Sequence, residues 1–174
     1  MIDAQATTSR PSFLHRFELW LPAVIVLLDQ VSKAIVRRTL PLHESVSVIP
    51  GIMDFTHIRN TGAAFGFLNG VDFPFKTIVI AIVATAALIG VALYAAGLAH
   101  HQTLARVGLA LIIGGAAGNL IDRVIAGSVV DFVDVYWRSY HFWAFNVADS
   151  AISIGVAIMI LDMIGVNKHA SSPV

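Results

Sequence analysis

Four long apolar stretches constrain the fold of this chain more than any other feature of its sequence. They cover residues 17–36, 74–97, 104–122 and 146–166, and each is close to the ~20 residues that a helix needs to cross about 30 Å of hydrocarbon. Hydrophobic residues make up 57% of the chain and charged residues only 13%, far from the composition of a soluble domain. We therefore predict an all-α membrane protein with four transmembrane helices.

The first stretch is the least apolar of the four, because Asp29 and Gln30 interrupt it. An uninterrupted run as short as 19–28 could also be the core of a signal peptide. No small-residue cleavage site follows it, and apolar residues continue to Val36, so we interpret it as a span. This divides the chain into a tail at 1–16 that we expect to be disordered, a membrane domain at 17–166, and a second tail at 167–174.

Small residues in the third and fourth stretches predict close helix packing. Ala110, Gly114 and Gly118 recur at four-residue spacing in the third stretch, and Ala151 and Gly155 do so in the fourth. Such spacing lets the backbone of a neighbouring helix approach closely. We expect these two helices to pack tightly on each other.

The two long links between the stretches lie on the same side of the membrane, because the chain crosses twice between them. In the first link, Val46 and Val48 alternate with serines before a turn at Pro50 and Gly51, and residues 52–58 can follow as a second strand. The second link is rich in aromatic residues of the kind found at headgroup depth. We predict a small sheet that lies on the membrane surface.

Charge and cysteine content exclude several classes of function. The chain has eleven basic and eleven acidic residues, so no net charge favours nucleic acid as a partner. It has no cysteine, which excludes a thiol nucleophile and a thiolate metal site. None of the histidines has the spacing of a zinc site, and we predict neither a metal nor a cofactor.

Polar residues cluster at the end of the spans that faces the two long links. An ionisable side chain inside a span costs ~2.5 to 3.5 kcal/mol on insertion scales, so each one needs a reason to be there. They could be ion pairs and interfacial anchors, but the one-sided collection favours a functional site. The spans contribute Asp29, Lys33, Asn119, Asp122, Arg123, Asn146 and Asp149, and the links add Arg59, Asn60, Asp131 and Asp134.

A pair of carboxylates is the best candidate for chemistry in this layer. Two carboxylates held close together cannot both ionise and therefore share a proton near neutral pH. The ionised member can take a proton from water while the protonated member polarises a carbonyl, which is peptide hydrolysis without a covalent intermediate. Asp122, Asp131, Asp134 and Asp149 are all eligible, and periodicity does not choose between them.

Five separated motifs, taken together, resemble the lipoprotein signal peptidase family, which is also called signal peptidase II. They are Asp29-Gln-Val-Ser-Lys33, Arg59-Asn-Thr-Gly-Ala-Ala-Phe65, Gly114-Gly-Ala-Ala-Gly-Asn-Leu-Ile-Asp-Arg123, Val129-Val-Asp-Phe132 and Phe145-Asn-Val-Ala-Asp-Ser150. The resemblance extends over residues 17–166. It implies an aspartyl endopeptidase of the bacterial inner membrane that cleaves diacylglyceryl-modified prolipoproteins before the lipidated cysteine and so removes the signal peptide.

The resemblance also implies roles for individual residues. It assigns the catalytic pair to Asp131 and Asp149, and it places the active site at the extracytoplasmic (periplasmic) face with both termini in the cytoplasm. The strands before Asn60 would form a surface cradle, and residues 60–69 a short surface helix. Substrate and membrane lipid would be the partners of a monomeric enzyme. The residues that would bind substrate or support the site are Asn60, Gly62, Asn119, Arg123, Asn146, Asp29, Lys33 and Asp122, of which Asp122 would pair with Arg123 or a neighbour.

Two observations keep other interpretations open. Seven of the eleven basic residues fall on the proposed outer side, against the tendency of basic residues to stay in the cytoplasm, although several of them belong to the polar layer. A transporter or proton channel would also place carboxylates among small-residue helices, and a non-enzymatic assembly subunit would explain the small residues. The deep parts of the second, third and fourth spans are nearly free of polar groups, which favours the peptidase.

Overall fold

The computed structural model describes residues 17–62 and 74–164, in which the chain forms four helices and four strands. Their order along the chain is α1 (Phe17–Thr39), β1 (Ser45–Ile49), β2 (Met53–Asn60), α2 (Lys76–Ala96), α3 (Thr103–Ala126), β3 (Val129–Trp137), β4 (Tyr140–His141) and α4 (Val147–Ile164). The helices coincide with the four apolar stretches, and α3 continues past the predicted boundary at residue 122. Both predicted tails lie outside the described residues.

Three of the helices, α2, α3 and α4, are long and apolar enough to cross a bilayer. Their most apolar windows have a mean hydropathy of 2.6, 1.7 and 1.9. Helix α1 has 23 residues and ends with Arg37 and Arg38 in its last turn; it is not among the three helices that meet this criterion in the described part of the chain. The described chain is thus helix-rich, with three apolar helices of membrane-spanning length.

Helix α3 lies at the centre and contacts each of the other helices. A Cβ atom added at Gly108 would lie 2.9 Å from the carbonyl oxygen of Gly155 in α4, and one added at Gly115 would overlap the carbonyl oxygen of Ala148. The predicted tight packing of α3 on α4 is confirmed. Gly114 and Gly118 instead face α1, where their added Cβ atoms would meet Ile25 and Asp29.

The strands form one antiparallel sheet in the order β1-β2-β3-β4. The strand pair predicted from the first link is confirmed, with Val46 opposite Phe55. Strands β3 and β4 were not predicted, because residues 129–132 at the start of β3 are all buried and so lack the alternation that identifies a half-buried strand. Of the predicted surface helix at 60–69, Asn60 ends β2 and residues 61–62 are not helical, whereas residues 63–69 lie outside the described residues.

Pairing of β2 with β3 brings the first link beside the second. Asn60, the last residue of β2, lies opposite Val129, and Ile58 lies opposite Asp131. An irregularity in register between Phe55 and Ile58 separates this end of the pair from the rest. The sheet therefore places Asn60 and Asp131 next to each other, close to the ends of α3 and α4.

Candidate active site

Asp149 is fixed by the way in which α4 begins. The side-chain oxygen of Asn146 accepts the backbone N–H of Asp149 at 2.9 Å, and Oδ2 of Asp149 accepts the backbone N–H of Asn146 at 3.2 Å. This reciprocal pair is a capping box, in which Asp149 occupies the position that more often holds Glu or Gln. The local sequence Asn-Val-Ala-Asp thus both starts the helix and holds a carboxylate at its N-terminus.

Asp131 comes to the same place from β3. Its side chain is buried, and Oδ1 accepts a hydrogen bond of 2.7 Å from Nδ2 of Asn146. Oδ2 accepts a second bond of 3.2 Å from Nδ2 of Asn60. Asn146 therefore contacts both aspartates, one through its side-chain amide and the other through its backbone and side-chain oxygen.

A second asparagine connects this pair to the centre of the bundle. Nδ2 of Asn119 in α3 donates to Oδ1 of Asp149 at 2.8 Å. Its Oδ1 accepts from Nζ of Lys33 at 2.9 Å and from Nδ2 of Asn146 at 3.2 Å. Because Lys33 can only donate, the oxygen of Asn119 must face Lys33 and its NH2 group must face Asp149.

The carboxyl group of Asp131 titrates near neutrality. Burial, and to a smaller extent the nearby charge of Asp149, raise its pKa to about 7. Hydrogen bonds from Asn60 and Asn146 and the charge of Lys33 oppose this rise, but they are the smaller effects. A carboxyl group with a pKa of about 7 is present in both protonation states at physiological pH.

A separate ionic cluster lies beside the two aspartates. Nζ of Lys33 is 2.8 Å from Oδ2 of Asp29 and 2.8 Å from Oδ2 of Asp122, and the side chains of Lys33 and Asp29 are fully buried. The other oxygen of Asp29 accepts the backbone N–H of Ala148 at 3.0 Å. The cluster therefore joins α1 to α3 and to the first turn of α4.

Arg123 and Gly62 connect the polar layer to the chain that follows β2. The guanidinium of Arg123 donates to the carbonyl oxygen of Asn119 at 3.2 Å and to that of Gly62 at 3.1 Å. The backbone N–H of Gly62 in turn donates to Oδ1 of Asn60 at 2.9 Å. Arg123 thus bonds to backbone carbonyls, and Asp122 has Lys33 as its close ionic partner.

The structure separates the four eligible aspartates. Asp131 and Asp149 meet at Asn146, Asp122 belongs to the ionic cluster, and Oδ2 of Asp134 lies 2.8 Å from Nδ1 of His141 on the sheet. All ten residues predicted for the site lie within or beside this polar layer. Among the described residues, no group of three or more His, Cys, Asp or Glu side chains could hold a metal ion.

Sequence reasoning missed two members of the ionic cluster. Nε2 of Gln30 donates to the carbonyl oxygen of Gly118 at 3.1 Å and reaches Oδ1 of Asp122 at 3.4 Å. Nη1 of Arg37 lies 3.5 Å from the same oxygen of Asp122. Arg37 could have been found from its spacing, since it follows Lys33 by four residues and shares its helix face.

Comparison with known proteins identifies the family to which this chain belongs. A family model described as signal peptidase (SPase) II matches residues 21–165, which include every residue of the polar layer. The chain belongs to the signal peptidase II family. Members of this family are aspartic proteases, so the chain is a bacterial membrane protease of the aspartic class.

Curated relatives carry the name lipoprotein signal peptidase. The protein from Geobacter metallireducens is 51% identical over 86% of this chain and 91% of its own length. That from Geobacter sulfurreducens is 49% identical over 80% of this chain and 86% of its own length. That from Pasteurella multocida is 46% identical over 87% of this chain and 90% of its own length.

Two solved structures, both described as bacterial membrane enzymes, share the fold. One is 33% identical with a TM-score of 0.79 and covers 90% of this chain and 93% of its own. The other is 32% identical with a TM-score of 0.76 and covers 84% of this chain and 92% of its own. The fold of the chain, with its helices and small sheet, is thus consistent with its membership of the signal peptidase II family.

Proposed function

We propose that this protein removes the signal peptide from diacylglyceryl-modified prolipoproteins by cleaving before the lipidated cysteine. The general activity, removal of signal peptides from prolipoproteins, is supported by the family. The observation that carries the catalytic part of the proposal is the connection of Asp131 and Asp149 through Asn146. Two carboxylates that come from different elements and bind the same asparagine are suited to act as a pair.

In the mechanism that we propose, Asp149 is the base and Asp131 is the acid. The ionised Asp149 takes a proton from water as the water oxygen attacks the scissile carbonyl carbon. Protonated Asp131 donates its proton to the carbonyl oxygen, which gives a neutral tetrahedral intermediate. When the C–N bond breaks, the leaving amine takes the proton from Asp149, and the hydroxyl proton of the intermediate returns to Asp131.

Two features support this division of roles. The pKa of about 7 leaves Asp131 partly protonated at neutral pH. Asp149 lies in the first turn of α4, where the helix macrodipole favours a negative charge, and it accepts N–H groups from Asn119 and Asn146. Because the two groups interact, they titrate as a pair with shared pKa values.

The remaining residues would position substrate and the pair. Asn60 and Arg123 lie on either side of Gly62, so this part of the chain can present backbone and side-chain groups to a bound peptide. Asn119 and Asn146 would hold the aspartates, and the cluster of Asp29, Lys33 and Asp122 would support them. Every one of these side chains comes from a single chain, which is consistent with a monomeric enzyme.

We further propose that α1 is a fourth transmembrane helix. Its 23 residues span about 34 Å at 1.5 Å per residue, enough to cross the hydrocarbon. Its charged residues Asp29 and Lys33 are fully buried against α3, while Leu27, Val31 and Ile35 are exposed. Four spans would put both termini on the same side of the bacterial inner membrane, and we propose that this side is the cytoplasm and that the active site lies at the periplasmic face, as the family resemblance implies.

Hydrolysis of a synthetic lipidated prolipoprotein by the purified protein tests the catalytic assignment. We expect Asp131→Asn and Asp149→Asn each to reduce cleavage by at least roughly a thousandfold, as for other groups that act as a unit, because an amide cannot exchange the proton. Asp162→Asn, the same change at the other end of α4, should leave cleavage unchanged. Near-normal activity of either dyad variant would refute the assignment.

A further inference from the structure

A groove between α2 and α3 lies outside the polar layer but reaches it at one end. Its volume is about 680 Å³. The lining includes Ile78, Ala81, Ile82, Ala86, Ile89 and Val124. Helix α2 carries few polar groups, and the carboxylate chemistry gives this helix no role.

The two threonines of the groove do not make it polar. The hydroxyl of Thr77 donates to the carbonyl oxygen of Gly127 at 3.4 Å, and that of Thr85 donates to the carbonyl oxygen of Ala81 at 2.7 Å. Hydroxyls bonded in this way to the backbone are satisfied locally. The groove can therefore accept an apolar ligand without leaving these hydroxyls unpaired.

The groove follows the axis of α2. Residues of α2 from Thr77 to Ile89 line it, and twelve residues of helix rise about 18 Å. The lining positions recur at intervals of three and four, so they form one face of the helix. This gives an apolar groove that runs from the edge of the membrane into its interior.

Arg123 connects the groove to the catalytic layer. It lines the end of the groove near Gly127 and donates to the backbone of Asn119, whose side chain binds Asp149. A guanidinium has five N–H donors, and the bonds to Asn119 and Gly62 use two of its N–H groups. The end of the groove thus combines a cation with proximity to the carboxylate pair.

Size decides between the two apolar parts of a lipidated substrate. A signal-peptide helix of about 20 residues would be a cylinder roughly 10 Å across and 30 Å long, about 2,400 Å³, which the groove cannot hold. A single acyl chain is much thinner and fits the volumes of ordinary ligand sites, about 300 to 1,000 Å³. The acyl chains are attached to the residue next to the scissile bond, so one of them must start close to the aspartates.

We propose that the groove between α2 and α3 binds one acyl chain of the substrate's diacylglyceryl group, with its ester end at Arg123. This inference rests on the proposed function. Bilayer lipid tails are as apolar as the groove, so the selectivity comes from tethering: a chain fixed to the cleavage site is held where a free lipid is not.

Photo-cross-linking tests the position of the chain without requiring catalysis. A lipidated prolipopeptide with a diazirine at the end of one acyl chain is bound to the Asp131→Asn protein and irradiated. We expect the label on α2 near Ile82 to Ile89, displaced by unlabelled lipidated peptide and not by phospholipid. A label that substrate cannot displace would mean that bilayer lipid fills the groove, and labelling from a diazirine in the signal peptide would overturn the proposal in favour of the peptide.

Chain-length dependence provides an independent kinetic test with a matched control. Ala86 and Ala87 are adjacent, exposed residues of α2, and only Ala86 lines the groove. We expect Ala86→Phe to raise KM for a palmitoyl substrate by about tenfold, or ~1.4 kcal/mol, with little change for an octanoyl substrate and none in kcat. Ala87→Phe should match the wild type with both.

The two proposals fail in different ways. If the wild-type protein cleaves neither substrate, the proposed function is wrong, whereas the cross-link remains interpretable. If the wild-type protein cleaves both and Ala86→Phe has the same KM as Ala87→Phe for each, the groove is not the acyl site.

Discussion

Two polar clusters lie side by side in this protein, and they differ in how their carboxylates are compensated. In the ionic cluster, Asp29 and Asp122 each lie 2.8 Å from the ammonium of Lys33. In the proposed catalytic pair, Asp131 and Asp149 are bound by the neutral amides of Asn60, Asn119 and Asn146. A cation fixes the charge of its partners, whereas amides leave a carboxylate able to gain a proton.

The difference explains how one membrane layer can hold both a support and a reactive site. Burial of an ion pair stabilises little by itself, but removing one member leaves an uncompensated charge. Burial of a carboxylate without a cation raises its pKa and makes proton exchange possible near neutral pH. The first cluster should therefore dominate stability and the second should dominate activity.

Removing the cation should have the largest effect on stability. We expect Lys33→Met to lower the free energy of unfolding by about 3 to 5 kcal/mol, because Asp29 and Asp122 would remain buried without their cation. Thermal unfolding in detergent measures this. Arg38→Met, at an exposed position on the same helix, is the control and should change stability little. Equal stability of the two variants would show that the cluster does not support the fold.

In contrast to Lys33→Met, Asp131→Asn should not lower the free energy of unfolding at pH 8, but it should change how that free energy depends on pH. The raised pKa of Asp131 means that the folded state binds this proton more tightly than the unfolded state, so this group's contribution to stability is lost as pH rises towards 7 and above. At 1.36 kcal/mol per pKa unit, the wild type should lose roughly 2 to 3 kcal/mol between pH 5 and pH 8 from this group.

The variant should lack that part of the pH dependence. Comparing the unfolding free energies of Asp131→Asn and wild type at pH 5 and pH 8 isolates the contribution of Asp131, because the other titrating groups are common to both proteins. Asp131→Asn should be at least as stable as the wild type at pH 8. A variant that is strongly destabilised at pH 8 would mean that Asp131 is a structural carboxylate like Asp29.

A crowded glycine gives the smallest of these effects and tests the geometry of the ionic cluster. A Cβ atom at Gly118 would lie 2.6 Å from Oδ2 of Asp29, so Gly118→Ala should displace that carboxylate and cost about 1 to 3 kcal/mol. Gly90→Ala in α2 meets nothing within 4 Å and should be neutral or slightly stabilising. If Gly118→Ala is tolerated as well as Gly90→Ala, the contact is not as close as described.

The sequence predicted the location of these clusters better than their internal contacts. Hydropathy and the parity of the crossings placed the polar residues in one layer, because both depend only on the order of the spans. The choice of Asp131 and Asp149 from four aspartates required the family resemblance. Neither hydropathy nor parity could assign Lys33 to Asp122, since that contact joins residues far apart in sequence and depends on how each helix is rotated about its axis.

The strand that carries Asp131 was the main structural element that the sequence did not predict. Its first four residues are buried together, and its partner strand precedes it by a whole pair of helices. The bond from Asn60 to Asp131 depends on that pairing. A motif could therefore indicate which residues matter, while the reason for their proximity required the structure.

We propose that Asp131 shares a proton with Asp149 near neutral pH, and infrared titration of the purified protein tests this most directly. We expect a protonated-carboxyl band that disappears as pH rises through about 7, together with cleavage activity, and that is missing from Asp131→Asn. If that band is unchanged in Asp131→Asn, or if Asp131 is already fully ionised at pH 5, the account of the catalytic pair is wrong.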